Sequence, residues 1–210
     1  MAMAHCIRKH CTKTNCIVGL VAFTLVCAGH VPGVMAESHC YKLDPAHTLV
    51  GFLVGHVGFA KTFGQFEDVE GSFCFDEQTL TLSDVRVVVG AESVQSLNRA
   101  RDRHLRSGDF LNTDKYSQIE FNGLSSAQTG ERTGSVRGNI TLLGQTRPLT
   151  LDVTWNKSGA YPFGDKHYAM GISATGSLNR SDFGITYGVA DGLVGDRVDI
   201  IIEIEAIRGD

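Results

Sequence analysis

The sequence predicts an all-β domain of about eight antiparallel strands, and three observations carry that expectation. Apolar and polar residues alternate with period two through most of the chain, as they do where a strand has one buried face. Clusters of Gly and polar residues cut this alternation into short runs. Only the stretch between Ser93 and Ser107 reads as helix. With so little helix to cover them, the apolar faces must bury one another, either in a closed barrel or in a sandwich, and periodicity does not choose between the two.

In chain order, the first element is a leader. Arg8, Lys9 and Lys13 precede the apolar run Ile17 to Ala28 and the small-residue site Val34-Met35-Ala36, and no acid occurs before Glu37. This is the pattern of a secretory signal peptide cleaved near Ala36. The apolar run is about a dozen residues, short of the roughly twenty that span a bilayer. Val26 sits before Cys27 where a lipoprotein signal has a small residue, which argues against lipidation. Residues 37–210 then form one domain, exported to the periplasm or secreted.

The strands follow. Two N-terminal runs lie around Val50 to His56 and Phe63 to Phe75, and a third carries Val85, Val87 and Val89. After the turn Gly90-Ala91-Glu92 and the helical stretch come Ile119 and Phe121, alternating with Glu120 and Asn122. Past the loop-like Ser125 to Gly134, the residues Val136, Gly138, Ile140 and Leu142 share one parity. Gly144-Gln145-Thr146 turns the chain into Leu149, Leu151, Val153 and Trp155, and Lys157 to Asp165 again has loop composition. Tyr168, Met170, Ile172 and Ala174 come next. The cleanest alternation is the last, with Val198, Ile200, Ile202, Ile204 and Ala206 opposed by Asp199, Glu203 and Glu205.

Charge narrows the function classes. Losing the three positive residues of the leader takes the formal charge from −4 to −7. An acidic, mixed-charge surface argues against nucleic acid, or an anionic lipid headgroup layer, as the main partner. The chain contains no GxSxG elbow, P-loop, Rossmann fingerprint or HExxH motif, so no catalytic residue is assigned. His47 and His56 have opposite parity, and with His39, His104 and His167 they make no metal-ligand spacing, so no metal or cofactor is expected. If the first two strands pair as a hairpin, the start of one lies beside the end of the other. Cys40 and Cys74 then share a neighbourhood, which leaves a disulfide and two free thiols both open.

Four segments together resemble the YceI-like family of periplasmic polyisoprenoid-binding proteins: YKLDPAHTLVGFLVGH from Tyr41, RDRHLRSGDFLNTDKYSQIEF from Arg101, LNRSDFG from Leu178 and VGDRVDIIIEIEA from Val194. The resemblance runs in order from Tyr41 to about Ala206. It implies an elongated, eight-stranded, antiparallel lipocalin-like barrel with one short helical crossover. It also implies a non-enzymatic carrier, monomeric or homodimeric, that binds an isoprenoid lipid of polyprenyl phosphate or quinone type and exchanges it with membrane-protein donors or acceptors. On that reading the inward residues line a tunnel: Phe52, Val54, Val87, Val89, Phe121, Ile140, Leu142, Leu151, Val153, Trp155, Met170, Ile172, Ile200 and Ile202. The small inward residues Gly138 and Ala174 would leave room for the ligand rather than relieve crowding at barrel corners.

Polar residues near a tunnel mouth are the headgroup candidates, namely Arg101, His104 and Arg180. Each also has a structural reading. Arg101 pairs with an acid to fix the crossover, Asp102 and Asp109 bind nearby backbone amides, and Arg180 locks its loop through Asp182 or Asp109, with Gly184 permitting the turn. His56 reads as a hydrogen-bonded barrel histidine. Where family members often have Pro, a second aromatic and an acid, this chain has Ser117, Leu111 and Asn112. These departures fall in the crossover and bear on headgroup selectivity, not on the barrel. Two rival classes accompany the carrier: an enzyme acting on an isoprenoid lipid through His104, Asp102 or Asp109, and an envelope interaction module or redox partner with a filled barrel.

Overall fold

The longest strand, β1 (His39–His56), is the seam on which the fold closes. The structure, a computed structural model, describes residues 37–209; the expected leader and its cleavage site lie outside the described residues. The remaining strands are β2 (Ala60–Phe66), β3 (Val69–Asp76), β4 (Thr81–Gly90), β5 (Val94–Gln95), β6 (Gln118–Gln128), β7 (Thr133–Leu142), β8 (Gln145–Ala160), β9 (Tyr168–Asn179) and β10 (Val194–Arg208). One helix, α1 (Arg99–Arg106), sits between β5 and β6.

Every pairing is antiparallel, and β1 meets β10 from Tyr41 opposite Arg208 to His56 opposite Val194. On its other edge β1 pairs first with β2, from His56 opposite Ala60 to Val50 opposite Phe66. It then pairs with β3, from Lys42 opposite Ser72 to His39 opposite Phe75. Thus β2 and β3 act as one strand interrupted at Glu67 and Asp68, and β5 is a two-residue addition to the edge of β2. The ring β1, β10, β9, β8, β7, β6, β4, β3 is an eight-stranded closed antiparallel barrel with one helix. Closure leaves the long strands no free edges, which answers the choice that periodicity left open.

The inward parity is the one the sequence marks. Ala206 is fully buried, and Val136, Ile140, Leu142, Leu149, Leu151 and Ile172 are buried along their strands. Two apolar clusters result, one around Tyr41, Phe73, Met170 and Ile172 and the other around Phe121, Ile140, Leu151 and Ile185. β7 and β8 are joined by Leu143 and Gly144, both at positive φ (50° and 70°), the conformation of a type I′ hairpin turn whose twist suits flanking strands.

The polar segments expected as loops are partly strand. β6 continues to Gln128 and β8 to Ala160, past a register shift between Trp155 and Lys157. The reason is that ladder hydrogen bonds come from the backbone, so a polar segment stays paired when its neighbour is still beside it. Cys40 lies directly opposite Cys74 in the β1–β3 ladder, and the two form a disulfide.

Candidate functional site

The barrel encloses a cavity of about 540 Å³ with predominantly apolar walls. Tyr41 and Met170, each 1% exposed, pack the end where β1 begins, and neither borders this space. At that end the hydroxyls of Tyr41 and Tyr168 both donate to Glu77 Oε1. Burial, and next the charge of Glu77, push the Tyr41 hydroxyl up to about 12. The opposite end is formed by the β1–β2 turn, α1 with the segment after it, and the stretch between β9 and β10. His56, Val57, Arg101, His104, Tyr187 and Leu193 from those segments all border the cavity.

Of the residues expected to line a tunnel, Phe52, Val54, Val87, Val89, Phe121 and Ile140 border the cavity, as do Leu142, Leu151, Val153, Ile172, Ile200 and Ile202. Trp155 and Met170 instead line a second pocket of about 50 Å³. The Trp155 Nε1 is buried there without a partner among the described residues, while Phe75 and Arg132 pack against its ring. Trp155 keeps the inward parity but lies near the end filled by Phe75 and Met170, and parity carries no information about position along the barrel.

The two small inward residues differ. Ala174 borders the cavity, whereas Gly138 does not. A β-carbon on Gly138 would lie 2.5 Å from both the Phe121 ring and the Asn122 carbonyl. The glycine therefore makes room for an aromatic neighbour on the adjacent strand, not for a ligand.

Of the headgroup candidates, Arg101, His104 and Arg180 all border the cavity. Arg101 is not paired with an acid: Nε donates to Ser96 Oγ (2.8 Å) and Nη2 to the Ser96 carbonyl (2.6 Å). The buried Asp102 accepts from the Ser96 amide (2.7 Å) and hydroxyl, so one serine couples α1 to the strand before it. Asn98 caps the helix by accepting from the amides of Ala100 and Arg101. His104 Nε2 lies 2.9 Å from Asp109 Oδ2, and its ring meets Phe110 and Tyr187 edge-on at 4.9 and 4.8 Å between centroids.

Arg180 corrects a sequence expectation, because it pairs with neither Asp182 nor Asp109. Its Nε donates to the Gly195 carbonyl (2.8 Å), Nη1 to Ile185 (3.1 Å), and Nη2 to Tyr187 (2.7 Å) and Val194 (2.8 Å). Burial pulls the guanidinium below its ordinary pKa, opposed by the charge of Asp196. Asp196 is itself held by the amide (2.9 Å) and hydroxyl (2.8 Å) of Ser181. Arg180 is thus the clamp of the β9–β10 connection, with Gly184 at φ 86° closing its turn. Such a clamp is hard to read from sequence, because carbonyl acceptors carry no residue identity.

His47 and His56 do not come together. His56 is exposed at the cavity end of β1, and its ring has no hydrogen-bond partner among the described residues, so it is not the hydrogen-bonded barrel histidine expected. His47 sits in a four-residue bulge, Asp44 to His47, opposite Glu205, and ligand atoms of Asp44, His47 and Glu205 lie within 4.8 Å of one another. A hydrogen bond of 2.7 Å between His47 Nδ1 and Asp44 Oδ2 accounts for this grouping without an ion. No spacing rule exposes it, since Glu205 arrives from the last strand.

Residues 41–206 match the model of the YceI-like domain. The chain belongs to that family. Protein YceI of Shigella flexneri is 36% identical over 170 residues, covering 80% of this chain and 86% of the relative. Among solved structures, BcnA of Burkholderia cenocepacia superposes with a TM-score of 0.69 at 19% identity, covering 78% of this chain and 98% of BcnA. A polyisoprenoid binding domain from Saccharophagus degradans, implicated in plant cell wall breakdown, gives 0.59 at 11% identity, covering 82% of this chain and all of that domain. At those identities the two structures speak for the YceI-like barrel alone.

Proposed function

We propose that this YceI-like domain is a non-enzymatic carrier that holds an amphipathic isoprenoid lipid, of polyprenyl phosphate or quinone type, inside its barrel. It works in the periplasm after removal of the leader, as a monomer or homodimer. The observation that carries this reading is the apolar cavity of about 540 Å³, bordered at one end by Arg101, His104 and Tyr187. An isoprenoid tail offers many apolar carbons, each worth about 0.8 kcal/mol per buried methylene, so a few units outweigh ordering costs without any polar motif. Membership of the family and the polyisoprenoid-binding neighbour of the same fold support the ligand class.

The polar end favours a headgroup held by few contacts. Arg180 has spent its Nε, one Nη1 donor and its Nη2 donors on carbonyls, and Arg101 is partly committed to Ser96. That leaves Arg101 Nη1, the Nδ1 of His104, whose Nε2 is held by Asp109, and the Tyr187 hydroxyl to meet the polar end of a ligand. The test is native mass spectrometry of the protein purified from its own envelope, followed by organic extraction and identification of the lipid. A stoichiometric isoprenoid is the expected result, and a protein that is empty and takes up no added isoprenoid overturns the carrier reading.

The enzyme reading has one foothold, the His104–Asp109 pair beside the cavity. It requires turnover of an isoprenoid substrate that disappears in His104→Ala.

A further inference from the structure

Eight large apolar side chains stand exposed among the described residues, and six of them belong to the segments around one end of the barrel. Val57 and Phe59 lie in the β1–β2 turn and Phe63 in β2. Leu97 leads into α1, and Tyr187 and Leu193 lie between β9 and β10. Phe59 and Leu97 are each 92% exposed. These segments are tied together: the Val57 amide donates to the Leu193 carbonyl (3.0 Å), β5 pairs with β2, and Tyr187 packs on His104 of α1. Val57, Tyr187 and Leu193 also border the cavity, so the apolar surface continues from its interior onto the outside of the protein.

The charge beside this rim runs against that of the whole chain. α1 carries Arg99, Arg101, Arg103 and Arg106, and its only acid, Asp102, is buried on Ser96. Arg106 donates to the carbonyls of Glu92 and Val94 and pairs with the exposed Glu92 carboxylate (3.4 Å), so its charge is matched. Arg99 and Arg103, four residues apart and therefore on one helix face, are exposed on the helix that Leu97 leads into. Nearby, Asp109 is taken by His104, while Asp191 is exposed on the loop that carries Leu193. The positive patch is therefore confined to the α1 side of the rim.

We propose that this rim docks on the surface of an anionic phospholipid bilayer, with Phe59 and Leu97 entering the headgroup layer and Arg99 and Arg103 meeting lipid phosphates. Exposed apolar side chains bordered by arginines are what an interfacial membrane contact requires. The net negative charge of the chain does not oppose it, because attraction to a charged surface is decided within a Debye length. The inference rests on the carrier reading for its purpose. A ligand made mostly of hydrocarbon cannot cross water cheaply, so the open end must meet the membrane for loading or unloading.

The experiment is flotation of the purified protein, expressed from the full chain, with phosphatidylcholine vesicles with and without phosphatidylglycerol. A parallel assay measures uptake of a polyprenol from detergent micelles. Binding is expected to the phosphatidylglycerol vesicles and to weaken with salt. Arg99→Glu with Arg103→Glu should lower that affinity roughly tenfold or more. Phe59→Ser with Leu97→Ser should likewise reduce flotation on the phosphatidylglycerol vesicles, and neither pair touches the cavity wall, so uptake from micelles should persist. A wild-type protein that takes up polyprenol yet floats with neither vesicle overturns the docking proposal, as do variants that float like wild type. Flotation without polyprenol uptake sinks the carrier reading and leaves the docking surface standing.

Discussion

The ring of Phe121 occupies the space that a β-carbon on Gly138 would need, 2.5 Å from that position across the β6–β7 ladder. Gly138 and Ala174 thus have different jobs despite sharing the inward parity. Gly138→Leu should destabilise the protein by about 1–3 kcal/mol or more through overpacking, whether or not ligand is present. Ala174→Leu projects into the cavity and should leave a folded protein that binds less isoprenoid. Urea denaturation beside ligand uptake separates the two, and a Gly138→Leu protein as stable as wild type contradicts the packing account.

Arg180 gathers four carbonyls, those of Ile185 and Tyr187 in the β9–β10 connection and of Val194 and Gly195 at the start of β10. Arg180→Met keeps much of the volume and removes every donor, which should cost at least about 3 kcal/mol in denaturant unfolding. Arg180→Lys should recover only part of this, because an ammonium cannot span the same fan of acceptors. Full rescue by lysine would mean that charge, not the fork, holds the loop.

The disulfide joins residues 34 positions apart. On the loop-entropy account it stabilises the fold by about 3–4 kcal/mol. Adding a reductant should lower the unfolding midpoint accordingly, and the Cys40→Ser, Cys74→Ser variant should show the lower midpoint and no response to reductant. Equal midpoints in both conditions would place the stabilisation elsewhere.

The Asp44–His47 contact should be visible in titration. The hydrogen bond to Asp44, and secondarily the charges of Asp44 and Glu205, raise His47 above its ordinary 6.5. The same hydrogen bond holds Asp44 below its ordinary 3.8. The His47 contribution is therefore full below about pH 6.5 and lost as pH rises through the raised value. The Asp44 contribution is full above 3.8 and lost as pH falls through the depressed one, so the pair is strongest between those limits. An NMR titration should give His47 a midpoint above 6.5 that falls back in Asp44→Asn. A wild-type midpoint at or below 6.5 rules the contact out in solution.

The alternation in segments such as Val198 to Ala206 by itself determined the strand content, the inward faces and most of the cavity wall. A strand with one buried face has no other stable pattern. The family motifs added closure into a barrel. Only the tertiary structure decided which inward residues border empty space and which fill it. Trp155 and Gly138 fit the inward pattern yet lie off the cavity, because Trp155 stands at the end packed by Phe75 and Met170 and the Phe121 ring takes the space beside Gly138. It also decided the job of Arg180, whose partners are carbonyls that any residue supplies, and the grouping of Phe59, Leu97 and Leu193 around one opening. Those residues stand far apart in the chain, and nothing local records that closing the barrel brings their segments to the same end.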